Sequence, residues 1–193
     1  MKKRAVFIDR DGTINEDAGY PGEFERIRIY PESFEAVRLL NQAGLLAIVV
    51  TNQSGVGRGL FSEAAVTAIH EKMAAAFAAR DARLDAVYYC PHFESSTDPR
   101  YAVACDCRKP NPGLALRAAA DFGIDLARSY MIGDKVDDVA FGLNIGATPV
   151  LVLTGEGAAS EKLLREHGLP RVHIAGDVLA AARWIIRREG RGR

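Results

Sequence analysis

At 193 residues, 48% of them hydrophobic and 26% charged, the chain is long enough to fill one globular core and lacks the polar excess of a disordered protein. Twenty-five Lys and Arg against 25 Asp and Glu give a formal net charge of +0, so overall charge points neither to nucleic acid nor to an anionic membrane surface, and any anion site must be local. No apolar stretch reaches membrane-spanning length, Met1-Lys2-Lys3-Arg4 leads into a strand without a cleavable signal pattern, and the 3 cysteines argue against a disulfide framework, so a cytoplasmic protein with no membrane partner is expected.

The first predicted element is a short apolar strand, Ala5-Val6-Phe7-Ile8, which surfaces at Asp9-Arg10-Asp11-Gly12-Thr13. Two carboxylates one residue apart at a strand end can hold a divalent cation through hard oxygens, with one acid serving as nucleophile and the other as proton carrier. A plain Asp-Gly turn is the alternative for this stretch taken alone. A polar loop over 15–31 follows, then a helix over 33–43 with Phe34, Val37 and Leu40 at helical spacing and Gly44 as its stop. The continuous apolar run over 45–50 predicts a strand buried on both faces, ending at Thr51-Asn52-Gln53-Ser54. Gly55, Gly57 and Gly59 mark a flexible loop. Ser62 caps a long helix striped by Val66, Ile69, Met73 and Phe77, and residues 86–89 form a strand that runs into Cys90.

The second half repeats the alternation. Asn111-Pro112 reads as an N-cap followed by proline at the first helical position, opening an Ala-rich helix that stops at Gly123. Residues 129–132 are a strand that delivers Gly133-Asp134-Lys135, with Asp138 just beyond. A short helix to Gly146, a strand over 149–153, a helix over 160–167, a weak strand over 172–174 and a helix from the Asp177 cap to about Arg188 complete the chain, with 190–193 as a solvated tail. No repeat or linker divides it, so one domain over 1–193 is expected. Strands alternating with helices predict an α/β fold: a central parallel sheet with helices on both faces and ligands outside the carboxyl ends of the strands. Asp9 with Asp11, Thr51 with its neighbours, and Asp134 with Asp138 all follow predicted strands and are expected to converge.

Cys90, His92, Cys105 and Cys107 supply three thiolates and one imidazole, a set suited to tetrahedral Zn²⁺. Four protein ligands leave no open position, so the metal is expected to be structural, pinning the loop over 93–104. A chance cluster, a Cys105 to Cys107 disulfide and a thiol nucleophile remain as alternatives. His70, His167 and His173 lack such partners and read as ordinary helix, surface or edge residues.

Asp9-Arg10-Asp11-Gly12-Thr13, Thr51, Lys109 and the Gly133-Asp134 to Asp138 segment resemble, in order and context, the four motifs of the haloacid-dehalogenase-like phosphatases. Thr51-Asn52-Gln53-Ser54-Gly55, Cys90-Pro91-His92 and Cys105-Asp106-Cys107-Arg108-Lys109-Pro110 narrow the resemblance to the branch holding heptose bisphosphate phosphatases and histidinol phosphatases. It covers about residues 5–155. It implies a three-layer Rossmann-like fold with a zinc-bound loop, Mg²⁺ on Asp9, Asp134 and the Asp11 carbonyl, Asp9 as nucleophile and Asp11 as general acid and base. Lys109 and Thr51 would hold the phosphoryl oxygens. The implied substrate is a small phosphorylated sugar, D-glycero-D-manno-heptose 1,7-bisphosphate, cleaved at the 7-phosphate by a monomeric enzyme that feeds heptose to surface glycans.

Two features favour that substrate over histidinol phosphate. The 12 residues between His92 and Cys105 match the longer zinc loop of the heptose enzymes, and the segment from Asn15 to Tyr20 resembles theirs. Asp17, Gly19 and Tyr20 offer a carboxylate, an amide and a phenol to sugar hydroxyls, and Asn52, Gln53, Ser54 and Lys135 are further expected contacts. Arg108, with its forked guanidinium, is the candidate for a second phosphate. Rivals from other classes are a non-enzymatic phospho-acceptor domain and a zinc-dependent interaction module. The Gly55 to Gly59 loop matches neither nucleotide-binding glycine pattern.

Overall fold

The alternation read from the sequence is realised in the computed structural model, which describes residues 2–166 and 172–190. The strands are β1 (Ala5–Ile8), β2 (Leu46–Asn52), β3 (Ala86–Cys90), β4 (Tyr130–Gly133), β5 (Thr148–Val152) and β6 (His173–Ala175). Among the described residues they form one parallel sheet in the order β3-β2-β1-β4-β5-β6. The helices are α1 (Pro31–Gln42), α2 (Glu63–Ala78), α3 (Gly113–Phe122), α4 (Val136–Asn144), α5 (Gly157–Glu166) and α6 (Val178–Gly190).

A strand exposes alternate residues to opposite faces, and β1 shows how the three layers follow from that. Val6 and Ile8 pack with Val37 and Leu40 of α1, Met73 and Phe77 of α2, and Ile185 of α6. Ala5 and Phe7 point the other way, into Leu114 and Ala118 of α3 and Phe141 of α4. All four β1 residues are buried, as a run apolar on both faces requires.

β1 is also where the strand order reverses, because it pairs with β2 on one side and β4 on the other. Ile8 lies opposite both Val49 and Ile132. The residues after those three positions therefore emerge side by side at the topological switch point, where open α/β sheets bind ligands.

Several boundaries differ from the expected ones. α1 starts at Pro31 rather than 33, since proline's fixed φ suits the first helical position. β2 continues through Thr51 and Asn52, which pair with Tyr89 and Cys90. Asn111 does not cap α3; its amide donates to the Cys105 carbonyl at 2.8 Å, and Pro112 occupies the cap. α5 begins at Gly157, three residues early. The glycine loop after Ser54 is a packed turn, not a flexible one: the Gly57 N–H donates to the Pro91 carbonyl at 3.0 Å, and a Cβ there would meet that oxygen at 2.9 Å. His167 and residues 191–193 lie outside the described residues. No described helix is long and apolar enough to cross a membrane.

Candidate active site

Asp9 follows β1 directly, anchored by its N–H to the Ile132 carbonyl at 2.9 Å. Its Oδ1 accepts from Lys109 Nζ at 2.6 Å. The same ammonium donates to Asp138 Oδ1 at 2.6 Å and to the Val50 carbonyl at 3.0 Å, and its side chain is 3% exposed. Three elements thus meet on one buried cation: the end of β1, the end of β2, and the N-terminal turn of α4, where Asp138 also accepts from the Lys135 N–H at 3.0 Å. Lys109 itself is held through its backbone, because Asn52 Oδ1 accepts its N–H at 3.0 Å while Asn52 Nδ2 donates to its carbonyl at 3.1 Å.

Asp134, fully buried, emerges beside Asp9 from β4. It accepts from the Glu156 N–H at 2.8 Å and from Thr13 Oγ1 at 3.2 Å. The room around it exists only because two neighbours are glycines: a Cβ on Gly12 or Gly155 would lie 2.2 Å from Asp134 Oδ2, and Gly12 has φ +89°. Asp9, Asp134 and Asp138 each place a carboxylate oxygen within 4.8 Å of the others.

Three buried carboxylates against one lysine are short of positive charge. Burial, with Asp138 and Asp134 nearby, lifts Asp9 to about 7 despite Lys109, and burial lifts Asp134 to about 6. Such a cradle fits a hard divalent cation, which would offset the repulsion and restore both acids to the ionised form.

Asp11 behaves differently. Burial pushes its carboxyl up, but the Arg10 charge and hydrogen bonds from Arg10, Asn15 and Gln53 outweigh that and hold it below the usual range. Its carboxylate is turned into those partners.

Above these acids opens a polar cavity of about 350 Å³. Of the expected contacts, Asp17, Gly19, Tyr20, Thr51, Asn52, Ser54, Arg108 and Lys135 line it together with Asp9, Asp11 and Lys109. Gln53 does not. Its amide instead bridges Asp11 Oδ2 and Thr51 Oγ1, both at 2.9 Å, so it serves the acids from behind. Lys135 closes one side, 3.2 Å from Asp17 and 3.3 Å from Glu156. The sequence reading missed Arg58, whose guanidinium stacks 3.7 Å from the Phe93 ring centroid at the cavity wall, and it missed Asp137 and Glu156. Arg58 sits among glycines in a segment read as flexible, and nothing local marked its side chain as part of the wall. His70, read as ordinary, is buried 3.2 Å from Arg10.

Cys90, His92, Cys105 and Cys107 gather beside this cavity, all three thiols free. A tetrahedron with Zn–S bonds of about 2.3 Å has edges of about 3.8 Å. The sulfur pairs here lie 3.1 and 3.7 Å apart, and His92 Nδ1 lies 3.2 and 3.6 Å from Cys107 and Cys90. The cluster is therefore the size of a zinc site, and no disulfide joins Cys105 to Cys107.

A strand-end aspartate ion-paired to a lysine, with a second acid from β4 beside it at the switch point, is the arrangement that the haloacid-dehalogenase-like resemblance implies. A HAD-hydrolase-like family model matches residues 106–181. The chain is 45% identical over 159 residues to the D-glycero-beta-D-manno-heptose-1,7-bisphosphate 7-phosphatase of Escherichia coli K12, covering 81% of this chain and 83% of that protein. The enzyme of the same name from Yersinia pestis is 42% identical, with 81% and 84% covered. The crystal structure of D,D-heptose 1,7-bisphosphate phosphatase from B. bronchiseptica, complexed with magnesium and phosphate, superposes with a TM-score of 0.83 at 33% identity, over 96% of this chain and 99% of that one. The Burkholderia thailandensis enzyme gives 0.69 at 34% identity, over 95% and 99%. The chain belongs to the haloacid-dehalogenase-like phosphatases, in the branch of the heptose 1,7-bisphosphate 7-phosphatases.

Proposed function

We propose that this chain removes the 7-phosphate of D-glycero-D-manno-heptose 1,7-bisphosphate, with Asp9 as nucleophile. The observation that carries this is the pairing of Asp9 with Lys109, with Asp134 beside Asp9, at a polar cavity that Asp9 and Lys109 line together with Asp17, Tyr20, Arg108 and Arg58. Lys109 occupies Asp9 Oδ1 and leaves Oδ2 to attack phosphorus. As that oxygen bonds to phosphorus, the bond from phosphorus to the sugar oxygen breaks, and Asp11, which takes up a proton when the negative charge of the phosphate enters the site and raises its carboxyl, passes that proton to the departing oxygen. The Asp11 carboxylate then accepts a proton from water, whose oxygen attacks the aspartyl phosphate. The bond from phosphorus to Asp9 breaks and orthophosphate leaves.

Asp9, Asp134 and the Asp11 carbonyl would hold Mg²⁺, which supplies positive charge against the approach of a carboxylate to a phosphate dianion. The Thr51 hydroxyl and Lys109 hold the transferring oxygens, while Asp138 keeps Lys109 in place. Cys90, His92, Cys105 and Cys107 would hold a structural Zn²⁺ that fixes the loop carrying Phe93 and, through Cys107, the start of Arg108-Lys109. Thiols that must stay reduced for that role support a cytoplasmic enzyme.

The test is phosphate release, in Mg²⁺, from heptose 1,7-bisphosphate and from histidinol phosphate. Many turnovers per protein with strong preference for the bisphosphate are expected. A single turnover would make the chain a phospho-acceptor domain, and preference for histidinol phosphate would reassign the substrate.

A further inference from the structure

Arg10 stands between the two catalytic aspartates in sequence, yet its side chain points away from the cavity and is the largest fully buried side chain among the described residues, 1% exposed. Its Nε donates to Asp11 Oδ1 at 3.0 Å and its Nη2 to Oδ1 at 2.9 Å and Oδ2 at 2.6 Å. Nη2 also reaches Gln53 Oε1 at 3.1 Å. Asn15 Nδ2 at 3.0 Å and Gln53 Nε2 at 2.9 Å complete the donors on the Asp11 carboxylate. The remaining arm of the guanidinium, Nη1, lies 3.2 Å from His70 Nε2 on α2.

Arginine has five donors and no acceptor, so His70 Nε2 must be the unprotonated, accepting nitrogen. That assignment agrees with the environment, because burial and the Arg10 charge push the imidazole down to about 3 and keep it neutral. His70 is in turn backed by the Tyr89 ring, 5.7 Å between centroids. A forked, planar cation anchored at one end by an imidazole has little freedom at the other, and the carboxylate gripped by that other end inherits the restraint.

We propose that Arg10 and His70 are positioning residues for proton transfer: His70 fixes the guanidinium, and the guanidinium sets the orientation from which Asp11 serves the leaving group. This rests on the reading of Asp11 as the general acid. Neither residue lines the cavity. Their loss should therefore matter in proportion to how much the leaving oxygen needs a proton, which is large for a sugar alkoxide and small for p-nitrophenolate.

The experiment compares kcat/KM, which reports the leaving-group step and not the later release of phosphate from Asp9, for heptose 1,7-bisphosphate and p-nitrophenyl phosphate. His70→Leu removes the acceptor and keeps the volume, and His70→Gln restores an acceptor through its side-chain oxygen. In His70→Leu the sugar phosphate is expected to lose about tenfold while the aryl phosphate stays within about twofold, and His70→Gln should recover most of that loss. Should His70→Leu fail to fold, Arg10→Lys, which keeps the charge and loses the fork, carries the same expectation.

Equal loss on both substrates, no loss, or no recovery in His70→Gln would overturn the proposal and leave His70 a packing residue. Asp11→Asn is the control that separates the two readings. If it shows the leaving-group dependence and the His70 and Arg10 variants do not, only the positioning role falls. Should Asp11→Asn itself show none, the acid assignment falls and the positioning role with it.

Discussion

Lys109 Nζ and Asp9 Oδ1 lie 2.6 Å apart in a pocket where the lysine is 3% exposed. An ion pair this buried keeps Asp9 in one rotamer, and in the proposed reaction it would offer charge to the phosphoryl oxygens without further movement. Lys109→Met is expected to lower kcat/KM by on the order of 10³ and stability by about 3 kcal/mol, because Asp9 and Asp138 are left buried without their cation. Asp9→Asn should lose turnover at least as severely but, in the absence of Mg²⁺, unfold no earlier than the wild type, since it removes a carboxylate that burial already disfavours. Phosphate release and denaturant titration of both variants check this. An Asp9→Asn protein that still turns over would sink the nucleophile assignment.

Linkage fixes how the cation's effect varies with pH. Asp9 and Asp134 have folded-state values raised to about 7 and about 6, so the stability they contribute without a cation is present below their unfolded values and lost as pH rises through 6 to 7. His70, lowered to about 3, works the other way: the folded state cannot accept its proton, and stability is lost as pH falls through its unfolded value of about 6.5. Comparing the protein with and without Mg²⁺ at each pH cancels the imidazole. Binding requires both acids ionised, so the rise in Tm on adding Mg²⁺ should be small at pH 5 and grow towards pH 7.5. A pH-independent rise would mean that the cation does not sit on Asp9 and Asp134.

Much of this site was legible because the sheet's geometry converts strand ends into neighbours. Once Ile8, Val49 and Ile132 were read as strand positions, Asp9, Thr51 and Asp134 had to lie together. What stayed hidden was side-chain direction. Arg10 reads as a spacer between two acids, and only the tertiary structure shows it folded back into the core. Gln53 was expected at the substrate for the same reason, since one-dimensional spacing does not say which face of a turn an amide takes. His70 directly follows Ile69 at the edge of the apolar stripe of α2, and its partner is 60 residues away in sequence. The start of α3 was misplaced because the Asn111 side chain is turned to the Cys105 carbonyl, to which its amide donates, rather than onto the first turn of the helix.

The proposed zinc and magnesium sites should separate cleanly by experiment. Cys107→Ser removes one of four donors, and losing even about 2 kcal/mol of metal-coupled folding energy lowers Tm by roughly 4–8 °C in a domain of this size. Added Mg²⁺ should not recover it, and amide exchange should rise chiefly over 90–109. The wild type made under reducing, zinc-replete conditions should carry one zinc per chain by elemental analysis. Protein without zinc that melts at the same temperature as zinc-loaded protein would show that the thiols pack without a metal.

The second phosphate of the substrate demands a cation apart from those already committed to Asp9. Lys109 is taken by Asp9 and Asp138, and Lys135 is shared between Asp17 and Glu156. Arg108 lines the cavity with its Nη1 loosely engaged to the His92 carbonyl at 3.4 Å, a contact it can exchange for an anion at little cost. Arg58 also lines the cavity, its guanidinium stacked against Phe93 and 5.6 Å from the Tyr20 ring centroid, which suits a fixed wall more than a mobile clamp. Arg108→Ala should therefore raise KM for heptose 1,7-bisphosphate by roughly tenfold or more while changing heptose 7-phosphate by about twofold, because a charge-assisted pair is worth about 1.5–3 kcal/mol and the monophosphate never makes it. Arg58→Ala should weaken both sugars alike by disturbing the wall that Tyr20 and Phe93 form. If Arg108→Ala depressed both substrates equally, chiefly in kcat, Arg108 would belong with Lys109 to the phosphoryl transfer itself, and the second phosphate would fall to Arg58 or Lys135.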